Sequence, residues 1–265
     1  MHDADTAVGV VGAGRMGGAL IQGWMEAGLS PADLVIVDPT PGEAARRALD
    51  DGATAVPTRL VDCATVLIAV KPQRFASVAP ALAVDADAMV LSIMAGVSVA
   101  TLNAAFPGRA VVRAMPNTPA AVGQGITGLF APGDVEAPRI ARAERLLSVC
   151  GPVVRVESED GIDRLTAVSG SGPAYVFHLV EALAASARKL GFAPDTALAL
   201  ARHTVTGAAR LLEDDADPTA LRAAVTSPNG TTQAALDVLM GELTELMERT
   251  TRAAYRRAVE LSKRA

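Results

Sequence analysis

Ser227-Pro228-Asn229-Gly230-Thr231-Thr232 sets two adjacent threonine hydroxyls and a run of backbone amides at what reads as the start of a helix. The first N–H groups of a helix have no helical acceptor and lie at the positive end of its dipole, so such a start either caps itself or holds an anion. Far upstream, Gly12-Ala13-Gly14-Arg15-Met16-Gly17 spaces three glycines as GxGxxG. That spacing suits a dinucleotide pyrophosphate: Gly12 for the tight turn, Gly14 for close backbone approach, Gly17 for packing helix on strand. The run follows an apolar strand and opens a helical pattern, the context in which the motif carries meaning. Asp38 closes the following strand. A carboxylate there accepts hydrogen bonds from a ribose 2′-OH and repels a 2′-phosphate, although Asp38 also suits the opening of the Asp-Pro-Thr-Pro-Gly turn. Arg46 and Arg47 follow within reach of a phosphate, so Asp38 leans toward NAD without excluding NADP.

Other candidates sit where strands end. Ala69-Val70-Lys71-Pro72 closes the run 65–70; Lys71 reads either as a phosphate or ribose contact or as a solvated strand-end lysine. Ala95 and Gly96 follow the run 88–93 and are small enough to let a nicotinamide approach the backbone. Asn117 follows the run 110–115, placed to bind a carboxamide or to steady a proline-rich turn. Acid–base groups are sparse. His178 and His203 fall inside Ala/Leu-rich helical patterns and read as packed or partner-bonded, and Lys189 reads as a solvated helix end. Ser169-Gly170-Ser171-Gly172-Pro173 reads as an ordinary capped helix start, as a close approach to a ligand, or both.

The elements that must position these residues fall into two halves. Up to about residue 155, short β-rich runs (7–12, 34–38, 65–70, 88–93, 110–115, 152–156) alternate with helical patterns, as in a parallel sheet covered on both faces. After Glu157 the strands stop and long Ala/Leu-rich helices follow, punctuated by Gly and Pro. The expected fold is α/β: a Rossmann-like parallel-sheet domain over 1–160, then an all-helical dimerisation and substrate-binding domain over 161–265. Half of the residues are hydrophobic and mean hydropathy is +0.30, a surplus that suggests self-association.

Composition removes several classes. A net charge of −5 and 3% aromatics leave neither the basic footprint nor the stacking platforms of a nucleic-acid binder. Cys63 and Cys150 stand far apart, and His2, His178 and His203 are scattered, so neither a disulfide framework nor a metal site is expected. The stretch around AMVLSIMAGVSVA falls short of a membrane span, and MHDADT lacks the basic region of a signal peptide. A cytoplasmic protein is the expectation.

AVKPQ, RAMPNTPAAVGQGIT (113–127), AVSGSGPAYVF (167–177) and VTSPNGTTQAAL (225–236), in this order after GxGxxG, resemble the pyrroline-5-carboxylate reductases over residues 7–263. The resemblance implies reduction of 1-pyrroline-5-carboxylate to L-proline by NADPH or NADH, the last step of proline biosynthesis, in a homodimer that can assemble further into a homodecamer. It also implies that Ser227, Pro228, Asn229, Gly230, Thr231 and Thr232 form the substrate loop. The amides of Gly230 to Thr232 would cradle the carboxylate, and the Thr232 hydroxyl would meet the ring nitrogen as the catalytic group. Three positions depart from the family pattern. Asn229 replaces a usual glycine, and Asn tolerates a left-handed backbone. Ala224 stands where some members have Asn. Asp38 stands where phosphate-accepting members have Ser or Thr.

An imine fits the residues. Its nitrogen takes a proton from water and its carbon then accepts hydride, so the protein supplies positioning and hydrogen bonds rather than a strong base. Two rivals remain at this level. A β-hydroxyacid-type dehydrogenase would need a helix-borne lysine after a glycine-rich segment, and SGSGPAY carries Tyr175 and no lysine. A non-catalytic dinucleotide sensor would have no need of Thr232.

Overall fold

The computed structural model describes residues 7–212 and 216–263; His2, Glu213, Arg264 and Ala265 lie outside them. Its main sheet has eight strands in the order β10-β9-β8-β7-β5-β1-β2-β3. The first six strands in the chain are β1 (Val8–Val11), β2 (Leu34–Val37), β3 (Thr54–Ala55), β4 (Arg59–Leu60), β5 (Thr65–Ile68) and β6 (Ala83–Val84). They are followed by β7 (Met89–Ser92), β8 (Val111–Pro116), β9 (Thr127–Phe130) and β10 (Val153–Arg155). β4 and β6 pair separately as a short parallel ribbon. The sheet grows from β1 in both directions, through β2 on one side and β5 on the other. Ligands of open α/β sheets bind beyond the strand ends at such a switch point.

Helices cover both faces because alternate strand residues point to opposite sides. Val10, Leu67 and Leu91 face α1 (Arg15–Glu26), α2 (Glu43–Asp50) and α5 (Ala137–Ser148), in a core with Leu20, Ile21, Trp24 and Leu147. Val11, Val66, Ile68 and Val90 face α3 (Pro72–Val78) and α4 (Val99–Ala105), with Phe75, Leu102 and Phe106. Each large apolar side chain enclosed in this way contributes roughly 1.5–3 kcal/mol. Trp24 also ties α1 to α5, its Nε1 donating to the Leu146 carbonyl at 2.6 Å.

The structure adds the two-residue strands β3, β4 and β6 to the expected runs and departs from the sequence reading in two further ways. β9 is an additional strand and is antiparallel to β8. The link from Pro116 to Thr127 holds only a 3-10 turn, Thr118–Val122, too short for the crossover that a parallel partner needs. The sequence also reads the last two helical segments separately, whereas the structure joins them into one helix through Gly241, which has open space around it.

The chain divides into two compact units, residues 7–171 with 254–263, and residues 172–253. The division falls beyond residue 160 because α6 (Glu159–Leu165) and the π turn Thr166–Gly170 pack on β8 and β9. The second unit holds α7 (Gly172–Lys189), α8 (Pro194–Arg210), α9 (Pro218–Ala224) and most of α10 (Thr231–Ser262). The final turns of α10 belong to the first unit. No described helix is long and apolar enough to cross a membrane.

Candidate active site

At the end of β1 the three glycines meet three different constraints. Gly12 has φ +91°, and a Cβ there would lie 2.8 Å from the Ala69–Val70 peptide. A Cβ on Gly17 would sit 2.2 Å from the Gly12 carbonyl oxygen. Around Gly14, by contrast, there is open space. Gly14 stands at the N-cap of α1, with no side-chain cap and no acidic residue in the first turn. A helix start left bare beside open space fits a phosphate. Gly14 and the exposed Arg15 line a cavity of about 280 Å3 together with Gly18, Thr40 and Gly42. Met16 packs inward against the core.

Asp38 does more than end β2. Its Oδ2 accepts from the Ala13 amide at 2.6 Å, and its Oδ1 accepts from the Thr40 amide at 2.8 Å. The carboxylate therefore fixes both the glycine loop and its own turn. Arg46 donates to the Pro41 carbonyl at 2.7 Å, and Arg47 makes an exposed pair with Glu43.

The loops after β5 and β7 share a larger cavity of about 900 Å3, lined by Pro72, Gln73, Phe75, Ala95, Gly96 and Leu261 among others. Lys71 is exposed at the N-cap of α3, with Pro72 in its first turn. Ala95 is exposed; Gly96 has φ +72°, and a Cβ there would meet Leu261 Cβ at 3.1 Å.

Asn117 is 8% exposed and already engaged at both ends of its amide. Nδ2 donates to the Ser169 carbonyl at 3.1 Å, and Oδ1 accepts from the Ile126 amide at 3.0 Å. Ser169 lies in the π turn, closed by the Ser171 amide on the Thr166 carbonyl at 2.8 Å. The Ser169 hydroxyl donates back to the Leu165 carbonyl, and α7 begins at Gly172-Pro173 directly after Ser171, where the Ser-Gly-Pro start was expected. A Cβ on Gly170 would meet Thr166 Cγ2 at 3.3 Å and Met115 Cε at 3.5 Å.

In the second unit, the Ser227–Thr232 segment forms a tight loop into α10. The Gly230 amide donates to the Ser227 carbonyl at 3.0 Å, and Asn229 has φ +59°, the left-handed conformation expected of it. The Asn229 amide donates to Gln233 Oε1 at 2.9 Å, which steadies the entry to the helix. Thr231 is exposed and Thr232 half-buried, with their amides in the acceptor-free first turn. His178 and His203 are exposed rather than packed, and His178 pairs with Glu181 at 3.0 Å.

The sequence reading overlooked a buried charge cluster. Arg113, quoted above only within RAMPNTP, is 1% exposed and meets Glu159 and Asp163 of α6. A basic residue inside an otherwise apolar strand was the available signal. Burial, with Asp85 and Asp62, pushes the Cys63 thiol up to about 11, and burial raises Cys150. A hydrogen bond to Asp160 raises the Tyr255 phenol.

Residues 159–261 match the family model for pyrroline-5-carboxylate reductase dimerisation, and residues 7–96 match that for NADP oxidoreductase, coenzyme F420-dependent. The chain is 39% identical to the pyrroline-5-carboxylate reductase of Pseudomonas aeruginosa, covering 96% of both chains. It is 45% identical to that of Synechocystis, over 75% of both. A solved pyrroline-5-carboxylate reductase from Coxiella burnetii superposes with a TM-score of 0.88 at 34% identity, over 97% of this chain and 99% of that one.

Proposed function

This chain belongs to the pyrroline-5-carboxylate reductase family, and on that footing we propose which residues carry its reaction. The reaction is reduction of 1-pyrroline-5-carboxylate to L-proline by a nicotinamide dinucleotide. When bound, the dinucleotide supplies hydride to the imine carbon, and the ring nitrogen keeps the proton it gained from water. The bare start of α1 and the Gly12–Gly17 loop hold its pyrophosphate. Asp38 faces the adenosine ribose, while Ala69, Val70, Lys71 and Pro72 line the crevice. Ala95 and Gly96 lie under the nicotinamide. Asn117 acts mainly through the π turn it holds, with one amide hydrogen and one lone pair left for a carboxamide.

The substrate is a ring bearing a carboxylate and an imine nitrogen. Its carboxylate docks on the first-turn amides of α10 with Ser227, Asn229, Gly230 and Thr231 shaping the loop. The Thr232 hydroxyl hydrogen-bonds the nitrogen and orients its proton. The observation that carries this reading is the left-handed Asn229, which sets the half-buried Thr232 in a helix start without helical acceptors. Thr232→Ala should lower kcat/KM about a hundredfold while Thr232→Ser recovers most of it. Wild-type kcat/KM in Thr232→Ala would remove this hydroxyl from the reaction.

Finer features follow from the same reading. Asp38 favours NADH over NADPH by repelling a 2′-phosphate. The working assembly is a homodimer, with five dimers forming a homodecamer. The step closes proline biosynthesis in the cytoplasm, where reduced dinucleotide is at hand.

A further inference from the structure

Arg113 is the largest fully enclosed side chain among the described residues, and its Nε has no partner. Taking a guanidinium out of water is costly, and apolar replacements of such buried charges are often at least as stable. A role in geometry is therefore worth seeking. Nη1 donates to Glu159 Oε1 at 3.0 Å and Nη2 to Asp163 Oδ1 at 3.3 Å. Both acceptors have second partners. Glu159 Oε1 also accepts from the Val99 amide at 2.7 Å, and Asp163 accepts from Ser262 Oγ at 3.1 and 3.2 Å.

Those second partners converge on one loop. Val99 is the first residue of α4, and its amide has no helical acceptor; Ser98 already caps that helix through the Thr101 amide at 3.1 Å. The preceding residues, Met94–Ser98, form the loop that carries Ala95 and Gly96. Ser92 Oγ tethers its near end through the Met94 amide at 3.3 Å, and Glu159 tethers its far end. Leu261, next to Ser262 in the last turn of α10, lies against Gly96 in the middle. Two of the three tethers thus lead to Arg113, one through Glu159 and one through Asp163 and Ser262.

We propose that Arg113, acting through Glu159, is a positioning residue for hydride transfer that sets the depth of the Met94–Ser98 loop. This rests on the reading that the nicotinamide lies over Ala95 and Gly96. Val99→Pro removes the one amide that reaches Glu159 while leaving Arg113, Glu159 and Asp163 paired. Proline suits the first helical position, and Ser98 at φ −77°, ψ 158° suits a following proline. With Val99→Pro, kcat falls about tenfold while the Kd of ADP-ribose, which lacks the nicotinamide, stays within about twofold. Val99→Ala gives up similar packing but keeps the amide, and its kcat exceeds that of Val99→Pro by about fivefold. Glu159→Gln, which retains a carbonyl oxygen for the amide, exceeds Glu159→Ala in the same way. Wild-type kcat in Val99→Pro overturns the proposal, as do equal kcat values for Val99→Pro and Val99→Ala, or a parallel loss of ADP-ribose binding. Ala95→Phe tests the underlying reading separately: an exposed ring there blocks the nicotinamide, and wild-type kcat would move the cofactor off this loop.

Discussion

At the scale of single residues, Asp38 shows how one carboxylate serves two ends. Its hydrogen bonds to the Ala13 and Thr40 amides hold the glycine loop and the following turn, and its charge remains at the end of β2. Asp38→Ser keeps an oxygen for the Ala13 amide and removes the charge. The ratio of kcat/KM for NADPH to that for NADH should then rise about tenfold or more, since like charges in apposition cost several kcal/mol. Paired initial-rate measurements with the two cofactors check this, and an unchanged ratio would leave Asp38 with only its loop-holding role. The glycine spacing was legible in the sequence because it lies within one βα turn, although the peptide that crowds Gly12, Ala69–Val70, comes from the end of β5. The turn-steadying role of Asn117 was legible too, since its Oδ1 holds the Ile126 amide across the proline-rich loop; its Ser169 bond and the Arg113 pairs were not, because those partners lie about fifty residues away.

At the scale of elements, the start of α10 is decided by two backbone requirements. Asn229 takes the left-handed conformation, and Gly230 is tightly placed: a Cβ would displace the Ser227 hydroxyl and press on the Ser227 carbonyl oxygen at 3.0 Å. Gly230→Ala should therefore distort the loop, raising KM for the imine about tenfold while the Kd of the dinucleotide is unchanged. Titration calorimetry with the cofactor beside steady-state kinetics checks the split, and an unaltered KM would show that the loop does not shape the substrate site. The buried strands β1, β2, β5, β7 and β8 were legible as apolar runs. Strand β9, Thr127–Phe130, was not: its four residues include a glycine, and its antiparallel direction follows from the length of the link before it. The π turn left no pattern either, because Ser169 gains its partner from another strand's end.

At the scale of the whole molecule, the described residues of the unit over 172–253 bury no large apolar side chain. Its buried residues are alanines (Ala184, Ala197 and Ala201), while Phe177, Leu239 and Met240 are 63%, 48% and 51% exposed. Large apolar side chains left exposed on α7 and α10 suit an association face, in keeping with the matched dimerisation model. Phe177→Asp combined with Leu239→Asp should shift the sedimentation coefficient to a smaller species and make Tm less dependent on protein concentration. An unaltered assembly would place the interface elsewhere. The surplus of apolar residues announced this behaviour in the sequence, but which turns of α10 rejoin the first unit depended on Tyr255 finding Asp160 and Ser262 finding Asp163. Together these parts reduce a cyclic imino acid. The most direct measurement mixes the purified chain with 1-pyrroline-5-carboxylate and NADH or NADPH, following dinucleotide absorbance and proline formed. Proline appearing mole for mole with oxidised dinucleotide is the predicted result; no oxidation of either dinucleotide with this imine would contradict the account.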